Sequence, residues 1–225
     1  MIVYGRNPVR EALRGPRVVK RAWATKNGAR EPWLGSVDLE LVGAEELRAL
    51  TGSDAHQGVC AEVEAYRYAD AAELLAQEGL ILALDQIQDP QNLGAIARSA
   101  ECAGVTGIVI PERRAAEVTP AVCKASAGAV EHLRIARVRN LADFLGESKA
   151  AGFWVYGADA AGNTRLDAVD FGGRAVLVLG SEGRGLRPRI AGACDALVSI
   201  PLRGQIESLG VSAAAAVMLF AATDN

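Results

Sequence analysis

Residues that build metal and redox centres are scarce in this sequence. The only histidines are His56 and His132, and neither stands near a group of thiols. The cysteines form no C-x-x-C pair and lie in segments typical of core strands and helices, so we expect four buried free thiols: Cys60, Cys102, Cys123 and Cys194. The sequence therefore predicts neither a metal site nor a redox function.

Long apolar runs are also missing. The first residues contain no apolar segment of the kind found in a secretory signal, and the longest apolar stretch, 211–222, is too short to span a bilayer. With 225 residues, 50% of them hydrophobic and 23% charged, the chain is typical of a globular protein with one large domain or two smaller ones. We expect a cytoplasmic protein without a membrane partner.

Several common catalytic motifs are absent as well. The loop after the first apolar strand of the second half lacks G-x-G-x-x-G, and no G-x-x-x-x-G-K-[ST] phosphate-binding loop occurs in the chain. There is no G-x-S-x-G elbow, and neither histidine has a Ser or Cys nucleophile indicated by a local motif. These absences disfavour Rossmann, P-loop and hydrolase interpretations.

Basic residues are concentrated at the start of the chain. The net charge is −3, which argues against binding nucleic acid by bulk electrostatics alone. Residues 1–30 nevertheless contain eight basic residues and a single acid, whereas 31–66 contain eight acids and one Arg. The basic cluster, which includes Arg6, Arg10 and Arg14, predicts either a phosphate-binding surface or a solvated helix face, and composition leaves both open.

The first third of the chain has the pattern of a small α/β unit. Asn7 as N-cap and Pro8 as first helical residue predict a helix over 8–14. Further segments predict three strands and one helix: strands at 18–24, 38–42 and 58–65, and a helix at 44–50.

The pattern changes near 66–72. Beyond this boundary apolar strands alternate with helical segments, which is typical of a mostly parallel sheet covered on both faces. The predicted strands fall at 80–84, 107–110, 133–138, 153–156, 175–180 and 197–200. We therefore predict an α/β protein with domains at 1–68 and 69–225.

Three loops at the carboxyl ends of predicted strands carry unusual residues. Ligands of open parallel sheets bind at that edge, so these loops are where a site is expected. The first loop, 85–94, leads into a helix with Arg98, and the second, 179–186, holds Glu182 among three glycines. The third covers 200–212 and enters the apolar C-terminal helix.

Each loop also has an ordinary structural interpretation. Asp89 or Asn92 is a suitable helix cap in the first, and Ser208 is one in the third. Glycines in the second loop can mark a bare turn. From the residues alone, the prediction ends at an α/β protein with a ligand site made of late-strand loops.

Together, the three loops resemble the motifs of the SpoU, or TrmH-like, family of RNA ribose 2′-O-methyltransferases. Asn92 followed six residues later by Arg98 resembles the first motif, and the other two loops resemble the second and third, with the same order and spacing. The resemblance covers about 80–222. Segments 4–9 and 56–59 resemble the RNA-binding domain of bacterial members that methylate a guanosine of large-subunit ribosomal RNA.

The resemblance implies a fold and partners. It implies a small N-terminal α/β substrate-binding domain and a mostly parallel catalytic domain whose C-terminal segment forms a trefoil knot. It also implies a homodimer that acts on ribosomal RNA with S-adenosylmethionine. The apolar C-terminal helix, 211–222, is wide enough to cover both the knot and a partner, and the alternative is that it is wholly buried within its own chain.

The resemblance also implies residue roles. Arg98 matches the catalytic arginine, Asn92 and Glu182 match polar residues that organise the site around it, and Ser208 matches the serine of the third motif. No metal takes part. The residues that match cofactor-binding positions are Gly180, Ile200 and Leu209, and we assign RNA binding to Arg6, Arg10 and Arg14.

The implied reaction is attack of a ribose oxygen on a sulfonium methyl group, which needs alignment and a dry pocket more than a metal. We expect Arg98 to clamp the phosphate beside the target ribose and to stabilise the incipient alkoxide, because a guanidinium normally stays protonated. The proton then leaves to that phosphate, to water or to a transiently neutral Arg98. Glu182 is the alternative base if burial favours its protonated form.

One position departs from the family pattern. The third motif usually reads S-L-N-V-S, and Gly210 replaces its Asn, which removes about four hydrogen-bonding possibilities. The chain is therefore either an enzyme or an RNA-binding homologue with a weakened site, and retention of Asn92, Arg98 and Glu182 favours the enzyme. Transfer RNA, or ribosomal RNA in antibiotic resistance, is the alternative substrate.

Overall fold

Alternating apolar residues at the start of the chain form a small mixed sheet. The computed structural model describes residues 1–206 and 208–223. Its first unit contains, in chain order, β1 (Ile2–Tyr4), α1 (Arg6–Arg14), β2 (Val19–Ala24), β3 (Leu39–Leu41), α2 (Ala44–Thr51) and β4 (Val59–Val63), with 3-10 helices at Gly28–Arg30, Pro32–Ser36 and Asp54–His56. The sheet order is β1-β4-β2-β3, and the β2–β3 pair is parallel while the others are antiparallel.

Helix α1 begins before the predicted position. Its N-cap is Gly5, whose φ of 95° is easily adopted only by glycine. The Gly5 carbonyl accepts a hydrogen bond from the Val9 N–H at 3.1 Å, and the Gly5 N–H donates to the Val59 carbonyl at 3.0 Å. Because this bonding starts the helix early, Asn7 lies inside the first turn with Pro8, and the prediction of Asn7 as N-cap is wrong.

The second unit alternates strands and helices, as the sequence predicts. Its elements are α3 (Ala71–Leu75), β5 (Gly79–Leu84), α4 (Pro90–Cys102), β6 (Gly107–Pro111), α5 (Pro120–Ala125), β7 (Ile135–Val138), α6 (Leu141–Ala150), β8 (Trp154–Ala158), β9 (Thr164–Arg165), β10 (Arg174–Leu179), α7 (Pro188–Ala191), β11 (Ala196–Ser199) and α8 (Val211–Thr223), with 3-10 helices at Ala129–His132 and Leu166–Ala168.

A seven-stranded sheet forms the centre of this unit. Its order is β7-β6-β5-β10-β8-β11-β9, and every neighbouring pair is parallel. Strands β5 and β10 lie side by side and are almost completely buried, because helices cover both faces. The predicted α/β class is confirmed. The knot stays a prediction of the resemblance. Among residues 1–206 and 208–223, no helix combines the length and apolarity that crossing a membrane requires.

A buried ion pair joins the two units. Arg17, between α1 and β2, donates from Nε to Glu131 Oε2 at 2.7 Å and makes a second bond from Nη2 to Glu131 Oε1. Its Nη1 donates to the Glu64 carbonyl at 3.1 Å, and its guanidinium lies 5.7 Å from the Tyr66 ring centroid. Burial opposes the charge on Arg17, but the bonds and charge of Glu131 outweigh this effect and raise the arginine pKa.

The two units are also in close contact beside this ion pair. Gly128 has φ 91°, and a Cβ there would lie 2.7 Å from Glu11 Cβ. A Cβ on Gly15 would lie 3.0 Å from Glu131 Cβ. His132 Nε2 also lies 3.0 Å from Glu11 Oε2. The small unit is therefore packed directly against the larger one.

Three of the four thiols are shielded from solvent and one is not. Cys60 and Cys123 are buried and Cys194 is half-buried. Burial raises the thiol pKa to about 12 for Cys60 and to about 11 for Cys123 and Cys194. Cys102 is exposed at the last residue of α4, so the prediction that all four are buried is wrong at this position.

Candidate active site

The first predicted loop places Asn92 against Glu182. Asp89 caps α4 by accepting hydrogen bonds from the Gln91 and Asn92 N–H groups at 3.2 and 3.1 Å, and Pro90 occupies the first helical position. Because Asp89 is the cap, the Asn92 side chain is free to donate from Nδ2 to Glu182 Oε2 at 3.1 Å. Both line a cavity of about 380 Å³ at the carboxyl edge of the sheet.

The second loop is a tight glycine turn. Ser181 and Gly185 exchange backbone hydrogen bonds at 3.1 and 2.9 Å, and both Gly183 and Gly185 have positive φ. Gly180 is buried, and a Cβ on it would overlap the backbone of Gly185. The lack of a side chain at Gly180 therefore serves the packing of the loop itself. Glu182 is exposed, so the burial needed for its alternative role as base is absent.

The third loop forms a cavity between β8, β11 and α8. It encloses about 130 Å³ and has mainly apolar walls, including Ile200, Leu209 and Met218, with Ser208 and Asp159 as polar members. Helix α8 begins at Val211, so Ser208 lies in the loop and not at the helix start. The structure thus brings Ile200, Ser208 and Leu209 together.

Gly210 lies between the two cavities. A Cβ built on it would be 4.0 Å from Glu182 Oε1, and apart from its chain neighbours no described residue would lie nearer. Its neighbours Leu209 and Val211 line the third-loop cavity and the Asn92 cavity, respectively. The position where the family has Asn is therefore open and faces the Glu182 carboxylate.

Arg98 lies in a different place. It is exposed on α4 and lines a groove of about 360 Å³ between that helix and α1, together with Arg10, His132 and Cys102. Six residues separate it from Asn92, which is about 9 Å along a helix axis. Within one chain, Arg98 therefore lines the same groove as the predicted RNA-binding residue Arg10. It does not share a cavity with Asn92 and Glu182.

The basic cluster on α1 is partly neutralised by acids. Arg6 pairs with Glu31 at 3.2 Å, while Arg10 and Arg14 both pair with Glu11, at 2.8 and 3.4 Å. The side chains of Arg6 and Arg14 remain more than half exposed. The cluster is thus a partly paired cationic surface, and solvated ion pairs of this kind contribute little to stability.

Sequence reasoning missed an ion pair beneath the loops. Asp85, directly after β5, is buried and accepts hydrogen bonds from Arg187 Nε at 2.8 Å and from the Arg187 N–H at 3.0 Å. The pair fixes the end of the second loop to the central strand. A carboxylate immediately after a fully apolar strand was the available signal. Among the residues that the structure describes, no group of three His, Cys, Asp or Glu could hold a metal ion.

The geometry defines an α/β protein whose site is assembled from loops at the carboxyl edge of a parallel sheet. Comparison with known families matches residues 79–220 to the SpoU rRNA methylase family and residues 2–69 to the RNA 2′-O ribose methyltransferase substrate-binding domain. The chain belongs to the SpoU rRNA methylase family.

Individual proteins agree with this assignment. The chain is 38% identical to YacO of Bacillus subtilis, named for the TrmH family of tRNA/rRNA methyltransferases, over 97% of this chain and 93% of YacO. The SpoU methyltransferase AviRb from Streptomyces viridochromogenes, solved with AdoMet, is 27% identical with a TM-score of 0.82, covering 100% of this chain and 89% of AviRb. An AdoMet-bound rRNA methyltransferase from Sinorhizobium meliloti is 29% identical with a TM-score of 0.80, covering 98% and 85%.

Proposed function

We propose that this protein transfers a methyl group from S-adenosylmethionine to the ribose 2′-hydroxyl of a guanosine in large-subunit ribosomal RNA. The observation that carries the proposal is the meeting of the three motif loops. The Asn92–Glu182 contact lies beside Gly210, which follows the cavity residues Ser208 and Leu209 directly. We assign RNA binding to residues 1–68 and catalysis to residues 69–225, and we expect a cytoplasmic location.

The third-loop cavity suits S-adenosylmethionine. Ile200, Leu209 and Met218 offer apolar contacts for an adenosine, and the Asp159 carboxylate offers a counter-charge for a cation. When bound, the cofactor supplies an electrophilic methyl group on sulfur. Apolar walls offer few polar groups that could hold water beside the reacting atoms, which favours displacement by a ribose oxygen. Gly180 does not line this cavity, and we assign it to the cofactor site only because it matches a cofactor-binding position of the second motif.

Arg98 acts on the RNA in this proposal. Its guanidinium is suited to hold a phosphate beside the target ribose and to stabilise the developing alkoxide. The proton leaves to the phosphate, to water or to a transiently neutral Arg98. Because Arg98 and the Asn92–Glu182 pair line separate cavities, we propose that a second copy of the chain brings Arg98 to the site.

Exposed apolar side chains near the C-terminus support a homodimer. Val217 and Phe220 of α8 are each 44% exposed, and Ile206 is 77% exposed. The other face of α8 is buried against its own chain, including Met218 and Leu219. Val217 and Phe220 lie three residues apart on one face of α8, and exposed apolar side chains paired in this way are typical of a surface that another chain covers.

The function is tested by supplying the purified protein with labelled S-adenosylmethionine and RNA. Label is expected in large-subunit ribosomal RNA made without the modification, and resistance of the labelled linkage to alkaline hydrolysis would locate the methyl group on the ribose. Label in transfer RNA alone would support the alternative substrate. Binding of RNA without any methyl transfer would contradict the enzyme and support a binding homologue.

Gly210→Asn is expected to leave the fold unchanged and to raise methyl transfer or leave it as it is. The new amide has open space and lies within reach of Glu182. Single-turnover rates and melting temperatures measure the two effects. Gly210→Ala is the control, because it adds a Cβ without an amide. A large loss of activity in the Asn variant alone would mean that the site requires glycine here.

Neutralising α1 is expected to weaken RNA binding. Arg6→Gln, Arg10→Gln and Arg14→Gln each remove one candidate phosphate contact, which lowers the slope of log affinity against log salt by about one unit. Cofactor affinity should not change. The matched control is Arg48→Gln on α2, because Arg48 and Arg6 are both more than half exposed and each pairs with an acid at 3.2 Å. If the α1 variants and the control show the same slope of log affinity against log salt, the assignment of RNA binding to α1 is wrong.

A further inference from the structure

A further cavity at the carboxyl edge of the large sheet is lined by arginines. It has a volume of about 270 Å³ and lies among the loops that follow β5, β6, β7 and β10. None of the residues that line it is acidic, although the chain as a whole has a net charge of −3. Its charged members come from three different loops: Arg113, Arg114, Arg139 and Arg187.

These arginines differ in how they are held. Arg187 is fixed by the buried Asp85, with Nη2 2.6 Å from Oδ1. Arg113, Arg114 and Arg139 are exposed and form no ion pair within the described part of the chain. Elsewhere most arginines are paired, including Arg189 with an acid at 3.4 Å. One anchored arginine and three arginines that form no ion pair within the described residues therefore line the same cavity.

The backbone around this cavity is held in an unfavourable conformation. Gln86 and Arg114 have φ of 63° and 58°, in the left-handed region that side chains other than glycine rarely adopt. Both residues line the cavity. Conformations of this kind are found preferentially where the surrounding structure fixes a functional geometry.

The arginine cavity adjoins the candidate active site. Gln86 lines both this cavity and the one that contains Asn92 and Glu182. A polyanion that places one nucleotide at the Asn92–Glu182 pair would extend its neighbouring phosphates along this edge. Guanidiniums bind phosphate oxygens with two parallel hydrogen bonds, and separate loops can follow successive phosphates.

We propose that this cavity, together with Arg113, Arg114, Arg139 and Arg187, binds the phosphodiester backbone of the substrate RNA next to the methylated nucleotide. The assignment rests on the proposed function for the identity of the polyanion. It adds a phosphate-binding surface on the catalytic unit, separate from the α1 surface. The RNA is therefore held by two cationic surfaces, one on each unit of the chain.

The test uses arginines at opposite ends of β7. Arg139 follows the strand and lines the cavity, whereas the exposed Arg134 precedes it at the other edge of the sheet. Affinity for an RNA whose target 2′-hydroxyl is already methylated is measured across a potassium chloride series. Arg113→Gln/Arg139→Gln is expected to lower the salt slope by about two units and to weaken binding about tenfold, while Arg134→Gln changes neither.

The outcomes distinguish the phosphate surface from the proposed function. An unchanged slope in the double variant, or an equal loss in Arg134→Gln, overturns the phosphate surface. Titration with inorganic phosphate distinguishes a small-anion site: tight binding of phosphate that the double variant abolishes, with the RNA slope unchanged, also overturns it. If the wild-type protein transfers no methyl group but the slope difference is present, the proposed function fails and the phosphate surface stands.

Discussion

Arg98→Ala is expected to lower kcat for RNA methylation by about 10²–10³-fold and to leave the affinity for S-adenosylmethionine unchanged. The side chain is exposed in the α1–α4 groove and does not line the third-loop cavity, so its removal affects the ribose and phosphate and not the cofactor. Single-turnover kinetics and calorimetric titration of the cofactor measure the two quantities. Full turnover by this variant would rule out a catalytic role for Arg98.

Mixing variants tests whether two copies share one site. Arg98→Ala and Glu182→Ala should each be nearly inactive alone. If Arg98 of one copy completes the Glu182 site of another, equal mixing after exchange restores about a quarter of the wild-type sites. No recovery would place the whole site within one chain. Light scattering provides the control, because a homodimer has twice the chain mass of 23.5 kDa.

Glu131→Gln is expected to destabilise the protein by about 3–5 kcal/mol, because it leaves the Arg17 guanidinium buried without a counter-charge. Both side chains of this pair are almost fully buried, at 5% and 0% exposure. For a chain of this size the loss corresponds to a fall in Tm of roughly 6–20 °C. Chemical and thermal denaturation measure it.

An exposed pair with similar bond geometry is the control. Arg165 and Asp167 lie 2.7 Å apart with both side chains about 60% exposed, so Asp167→Asn should change stability little. The double variant Arg17→Met/Glu131→Leu should recover most of the loss, because it removes both buried charges. If Glu131→Gln costs no more than Asp167→Asn, the ion pair does not hold the two units together.

The larger sheet could be predicted because its strands are long and uniformly apolar. Strands such as β5 and β10 are buried on both faces, so their sequences need no alternation and stand out between helical segments. Strand β9 was missed because two residues carry no periodicity. The start of α1 was misplaced because Gly5 caps the helix through its own carbonyl, which a search for capping side chains does not detect.

The site was predictable in its residues but not in their grouping. Motif spacing brought Asn92, Glu182 and Arg98 into one prediction, yet only the first two are in contact. Spacing along a helix does not reveal which neighbour each face meets. The Arg17–Glu131 pair could not be predicted for a similar reason, because the two residues are 114 positions apart. Arg17 also belongs to the basic cluster of residues 1–30, for which composition predicts an exposed surface.

The single exposed thiol gives the protein a natural attachment point for a reporter group. Maleimides react with thiolates, and burial keeps Cys60, Cys123 and Cys194 protonated, so a dye would attach to Cys102 in the native chain without any substitution. The dye would sit in the groove that Arg98 lines. Fluorescence of a dye on Cys102 would thus report, in real time, the binding of a molecule in that groove.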